Sequence, residues 1–233
     1  MAQVIVALDQ TDAAPALDLV DALGSAASWF KVGARLFTAA GPALVRELRD
    51  RGKSVFLDLK YLDIPSTVEG AVRAAAALDV AMLTIHATGG TAMMRAAARG
   101  ASGSDTAVVA VTILTSLTGA GAAEAWGRDA VAPAEEVSRL AALAAESGLA
   151  GVVCAVPEAA RVRAERGEEF RIVTPGIRPV GGAAHDQKRV ATPEDAVRAG
   201  ADYLVVGRAI SGAADVAAAA RAIAESIAVE APA

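Results

Sequence analysis

Short aliphatic and β-branched runs recur along the chain at residues 4–8, 29–32, 55–59, 81–86, 107–112, 151–154, 171–174 and 203–206. The first five begin about 26 residues apart, room for one strand, one helix and two short connections. Between the runs, apolar residues fall at helical spacing over 13–23, 42–51, 66–78, 134–147 and 193–199, and an Ala-rich helix is expected over 213–228. Gly24, Gly52, Gly148 and Gly200 stand where a left-handed residue would end these helices. Asp12 and Thr192 are placed to cap N-termini, with Pro193 at a first helical position. Strands that are apolar almost throughout and alternate with helices describe a parallel sheet under a helical cover. Eight such units predict closure into a (β/α)8 TIM barrel, one domain over residues 1–233; an open doubly wound sheet is the alternative. Two connections break the period, at 114–132 and 175–189, and residues 229–233 read as a frayed tail. Both connections follow strand C-termini, the face on which such barrels carry their sites.

Hydrophobic residues make up 54% of the chain but aromatics only 3%, so the core has to be aliphatic. No apolar run approaches the roughly 18 residues of a membrane span. The first residues lack a basic segment followed by a cleavage site, and the lone Cys154 sits in an apolar strand, where a packing role is expected. A cytoplasmic globular protein is the expectation. With a net charge of −5 and no basic cluster among aromatics, nucleic acid is not an expected partner. His86 and His185 lie far apart without carboxylates at ligand spacing, so no metal site is expected. The bases are more informative: four lysines stand against eighteen arginines, and two of the four, Lys31 and Lys60, fall at strand ends. Lysine can be tuned to release a proton near neutral pH, whereas arginine stays charged.

The densest chemistry follows the third strand, in Asp58-Leu59-Lys60-Tyr61-Leu62-Asp63-Ile64-Pro65. Residues two apart share a strand face, which points Asp58 and Lys60 together into the barrel mouth. Asp9 and Lys31 end the first two strands, so acids and bases alternate around one rim. Such a set either performs chemistry or forms a charge layer that closes the barrel. A phosphate site is expected as a second constellation, where Thr174-Pro175-Gly176-Ile177-Arg178 and Val206-Gly207-Arg208 leave the last two strands. Gly207 lets backbone N–H groups approach an anion, a helix dipole adds to them, and Arg178 and Arg208 supply charged forks. Gln187, late in the preceding loop, is placed to close over the phosphate.

These motifs together resemble the orotidine 5′-phosphate decarboxylase family. The resemblance runs from Ala7-Leu8-Asp9 through Phe30-Lys31-Val32-Gly33, Asp58-x-Lys60-x-x-Asp63-Ile64-Pro65 and Val111-Thr112-x-Leu114-Thr115-Ser116 to Val173–Arg178, Asp186-Gln187 and Val205–Arg208. It implies a carboxy-lyase of pyrimidine biosynthesis, converting orotidine 5′-phosphate to uridine 5′-phosphate without cofactor or metal. Lys60 would protonate C6 of the pyrimidine. Asp58 would lie against the scissile carboxylate, Lys31 would complete the charge network and touch the ribose, and Asp9 would bind the ribose hydroxyls. Thr115 or Thr118 would hydrogen-bond the pyrimidine, and Arg178, Gln187, Gly207 and Arg208 would hold the phosphate. The resemblance also implies a homodimer in which Asp63 and Thr67 reach into the partner's site. Leu62 stands where many members have His, and Thr118 where Ser is common. The Asp-x-Lys-x-x-Asp signature is shared with metal-dependent sugar-phosphate decarboxylases and aldolases, and a silent nucleotide-binding barrel is the remaining alternative.

Overall fold

A computed structural model describes residues 2–178 and 191–228. The strands are β1 (Gln3–Leu8), β2 (Trp29–Gly33), β3 (Ser54–Tyr61), β4 (Met82–His86), β5 (Ala107–Val111), β6 (Gly151–Val153), β7 (Arg171–Pro175) and β8 (Tyr203–Val206). All pair in parallel with their chain neighbours, and β8 pairs with β1, so the sheet is a closed barrel in the order β1 to β8. The barrel, rather than the open sheet, is therefore the architecture.

Around it run α1 (Ala13–Leu23), α2 (Ala34–Asp50), α3 (Pro65–Ala76), α4 (Gly90–Gly100), α5 (Gly119–Trp126), α6 (Pro133–Glu146), α7 (Val156–Arg166), α8 (Pro193–Arg198), α9 (Arg208–Ser211) and α10 (Val216–Ala228). Side-chain alternation along each strand divides the core in two. Ile5, Ala7, Phe56, Met82, Val109, Val173 and Val205 form a cluster inside the barrel, closed off by Trp29 and Tyr203, whose rings lie 5.2 Å apart. Val6, Leu8, Phe30, Val32, Val55, Leu57 and Leu83 face out and pack beneath the helices. Burying each such side chain is worth about 1.5–3 kcal/mol relative to leaving it exposed. The inward series continue upward into polar residues, Ile5-Ala7 into Asp9, Phe56 into Asp58 and Val205 into Gly207. The strand period thus delivers functional groups to one end of a dry core.

The helix boundaries differ from the periodicity in informative places. α2 begins at Ala34, not at residue 42: Gly41 (φ 64°, ψ −165°) breaks the helical path and Pro42 restarts it. The connection at 114–132 is not all loop, because Thr118 accepts a bond from Gly121 N–H and starts α5. α10 begins at Val216 rather than 213, where the Asp215 carboxylate accepts from Ala218 N–H at 2.8 Å. Thr192 caps α8 as expected, accepting from Asp195 N–H. Asp12 stands at the N-cap of α1 but makes no cap bond there; its carboxylate accepts from the Thr11 hydroxyl instead. Gly24, Gly52, Gly148 and Gly200 all adopt positive φ. The expected tail at 229–233 lies outside the described residues.

Candidate active site

Asp9, Lys31, Asp58, Lys60, Thr115, Arg178, Gly207 and Arg208 line one cavity of about 280 Å³ at the C-terminal end of the strands. Its charged lining is four basic side chains against two acidic ones, although the whole chain is negative. Such a mouth concentrates an anionic ligand against the charge of the surrounding surface.

One end of the cavity is the alternating network. Lys31 Nζ lies 3.9 Å from Asp9 Oδ1 and 3.6 Å from Asp58 Oδ2. Lys60 Nζ donates to Asp58 Oδ1 at 2.7 Å. Gly33 leaves room beside the Lys31 ammonium, from which a Cβ there would stand 3.3 Å. Asp58 is 12% exposed, and burial by itself pushes its pKa up. The charges of Lys31 and Lys60, with bonds from Lys60 and Thr84, outweigh that cost and hold the carboxyl below its ordinary value. The stabilisation is present above the unfolded value of about 3.9 and is lost only as pH falls through the lower folded value. Asp58 therefore stays ionised through the neutral range.

Lys60 does not continue a regular strand. Its φ of 52° is left-handed, and the pairing of β3 with β4 shifts register between Leu57 and Tyr61. A non-glycine residue in that region costs about 1–3 kcal/mol. The same bulge lifts Lys60 to 37% exposure beside the buried Asp58. Strand alternation brought the two residues to one mouth, and the bulge sets how far Lys60 projects. Thr84 on β4, fully buried, bonds to both residues and was missed in the sequence, where the one visible signal is a hydroxyl within the apolar run Met82-Leu83-Thr84-Ile85. Beyond it, burial and the charge of Lys60 push the His86 pKa down against the opposing pull of Asp58, leaving the imidazole neutral at pH 7.

At the other end, β7 opens through Gly176 (φ 83°) into Arg178, whose backbone N–H donates to Ala191 O at 2.9 Å. The base of the 175–189 connection is pinned there, beside the Ile177–Ala191 bridge. Gln187 lies outside the described residues. Gly207 closes the gap to the network: a Cβ on it would meet Asp9 Oδ2 at 3.0 Å. The helix after it, α9, has four residues, so its dipole is slight and the charge for an anion comes from Arg178 and Arg208.

Of the two threonines, Thr115 lines the cavity, while Thr118 is exposed and occupied with capping α5. Asp63 and Thr67 are exposed, and neither lines the cavity of its own chain. Asp63 accepts from the next backbone N–H, at Ile64. Its neighbours Leu62 and Ile64 are apolar yet 57% and 64% exposed. Cys154 is buried in the core, and Met93 and Met94 pack within it. Among the described residues, no group of three or more His, Cys, Asp or Glu is arranged to hold a metal ion, and no helix is long and apolar enough to cross a membrane.

Comparison with known proteins gives consistent matches. Residues 2–223 match the model of the "Orotidine 5'-phosphate decarboxylase / HUMPS family". The chain is 50% identical over 229 residues to orotidine 5′-phosphate decarboxylase of Vibrio campbellii, covering 97% of both chains. It is 49% identical over 232 residues to the enzyme of that name from Moorella thermoacetica, covering 97% of this chain and 92% of the other. The crystal structure of orotidine 5′-phosphate decarboxylase from Lactobacillus acidophilus superposes with a TM-score of 0.87 at 35% identity, over 97% of this chain and 99% of that one.

Proposed function

The chain belongs to the orotidine 5′-phosphate decarboxylase / HUMPS family, and from that premise we propose that it decarboxylates orotidine 5′-phosphate to uridine 5′-phosphate, with Lys60 as proton donor and no cofactor. The observation that carries the reading is one cavity holding the Asp9–Lys31–Asp58–Lys60 alternation at one end and Arg178 with Arg208 at the other. A substrate with a carboxylate on its base and a phosphate on its ribose matches both ends.

The phosphate is held by Arg178, Arg208 and the backbone at Gly207, with Gln187 the further phosphate contact that the family resemblance implies. Asp9 and Lys31 meet the ribose, and Thr115 meets the pyrimidine. When the C6–carboxylate bond breaks, its electron pair stays on C6 and CO₂ leaves. The pyrimidine delocalises that pair poorly, so fixed positive charge must already stand where it develops. An ammonium about 4 Å away contributes on the order of 4 kcal/mol at an effective dielectric of about 20. Lys60 then transfers a proton from Nζ to C6 and is reprotonated from solvent. Asp58 beside the departing carboxylate loses a repulsive neighbour as neutral CO₂ forms. The rest of the acceleration comes from binding energy at the remote phosphate.

Asp63 belongs to a second site in a homodimer. Its outward position between exposed Leu62 and Ile64, away from its own chain's cavity, supports that assignment. Thr67, exposed one helical turn farther on, joins it across the interface.

The test is the fall in absorbance of orotidine 5′-phosphate with purified protein. Turnover is expected, at the same rate with and without chelator. Loss of activity on chelation and its return with magnesium would instead identify a metal-dependent relative on the same barrel. The phosphate end has its own test in Arg208→Ala. Losing a charge-assisted contact should lower kcat/KM for the phosphorylated substrate by about ten- to a hundred-fold. The nucleoside orotidine, with no phosphate to hold, should be turned over as slowly as by the unaltered protein. An equal loss with both would make Arg208 a structural residue.

A further inference from the structure

Three hydrogen bonds close a ring around the base of Lys60. The Lys60 backbone N–H donates to Thr84 Oγ1 at 2.9 Å, and the Thr84 hydroxyl donates to Asp58 Oδ1 at 3.0 Å. Lys60 Nζ donates to the same Oδ1 at 2.7 Å. Thr84 is 0% exposed, and a buried hydroxyl with both its donor and one acceptor position committed has little freedom to turn. The bond to Lys60 N–H falls at the left-handed residue itself, inside the register shift between β3 and β4. At that bulge the regular β3–β4 register is interrupted, and the threonine on the neighbouring strand supplies an acceptor for this N–H.

We propose that Thr84 is the positioning residue of this site: its hydroxyl fixes the bulged backbone of Lys60 and the carboxylate of Asp58 relative to each other, so that the ammonium is held at one place when negative charge develops. Thr84 is fully buried and does not line the cavity. It acts through Lys60 and Asp58, so its loss impairs the reacting geometry and leaves the phosphate and ribose contacts intact. The proposal rests on the decarboxylase reading for what is turned over, but the geometry of the ring can be measured apart from it.

Two readouts test this on the intact protein, using Thr84→Val, which keeps the shape and removes the hydroxyl, and Thr84→Ser, which keeps the hydroxyl. The first is steady-state turnover of orotidine 5′-phosphate alongside the dissociation constant of uridine 5′-phosphate. Thr84→Val should lower kcat by about ten- to a hundred-fold, with product affinity within about two-fold of the unaltered protein, and Thr84→Ser should restore most of the rate. The second is the ¹³C titration of the Asp58 carboxyl, which needs no turnover. The groups acting on that carboxyl are Lys31 from β2, Lys60 from β3, and Thr84 and His86 from β4, with Asp9 beyond Lys31. Among them the Thr84 bond favours the ionised form. Its pKa should therefore rise in Thr84→Val and return in Thr84→Ser. If Thr84→Val does not fold, Thr84→Cys, whose thiol is a longer and weaker donor, is held to the same two readouts. An unchanged kcat and Asp58 titration in the hydroxyl-less variant would overturn the proposal, as would equal impairment of the serine variant. A wild-type protein that consumes no orotidine 5′-phosphate while the Asp58 titration shifts as stated would sink the decarboxylase reading and leave the positioning role standing.

Discussion

Lys60→Ala is expected to remove turnover of orotidine 5′-phosphate by roughly 10⁴-fold or more, because under the proposed mechanism one change deletes both the proton donor and the nearest positive charge. Uridine 5′-phosphate should still bind, since Arg178, Gly207 and Arg208 follow β7 and β8, across the closed barrel from the β3 strand that carries Lys60. The fold should survive, because Asp58 keeps Lys31 at 3.6 Å and the Thr84 hydroxyl at 3.0 Å when Lys60 is gone. Lys60→Arg should be nearly as inactive. It restores charge beside Asp58, but guanidinium does not give up a proton near neutral pH, and its planar fork cannot occupy the place of a compact ammonium. Steady-state rates with the measured product affinity separate these effects. A variant of either kind keeping more than a few per cent of the rate would assign the proton to another group.

Much of this site was legible because a barrel converts strand period into position. Ile5-Ala7 leads to Asp9, Trp29 to Lys31 and Phe56 to Asp58 by simple alternation, and the eight-fold repeat closes the ring that brings them together. Arg178 and Arg208 were legible for the same reason, as the residues just beyond β7 and β8. What escaped depends on contacts between elements. The left-handed turn at Lys60 is held by a hydroxyl on the next strand, and no pattern within β3 announces it. Thr84 itself looks like one polar residue in an apolar strand until the register of β3 against β4 places it opposite the bulge. α5 was hidden because Gly119 and Gly121 are poor helix formers; its start depends on the Thr118 cap and on a glycine fitting against Val131 O, where a Cβ would stand 2.5 Å away. In α2 the Gly41-Pro42 pair reads as a boundary, and the helix resumes across it because Leu36 on one side and Leu44 on the other bury into the same core.

Asp63 is exposed between Leu62 and Ile64 and does not line the cavity of its own chain. If Lys60 of one subunit works with the Asp63 of its partner across a two-fold interface, Lys60→Ala and Asp63→Ala homodimers should each be nearly inactive. Neither contains a site with both native residues. Subunit exchange between the two variants then creates mixed dimers in which one site has both residues and the other has neither. Mass-tagged chains report the extent of exchange, and turnover of orotidine 5′-phosphate is measured on the same sample. Random pairing makes about half the dimers mixed, so activity should recover to about a quarter of wild type per total site. Complete exchange with no recovered activity would contradict the shared site and return Asp63 to the chain that carries it.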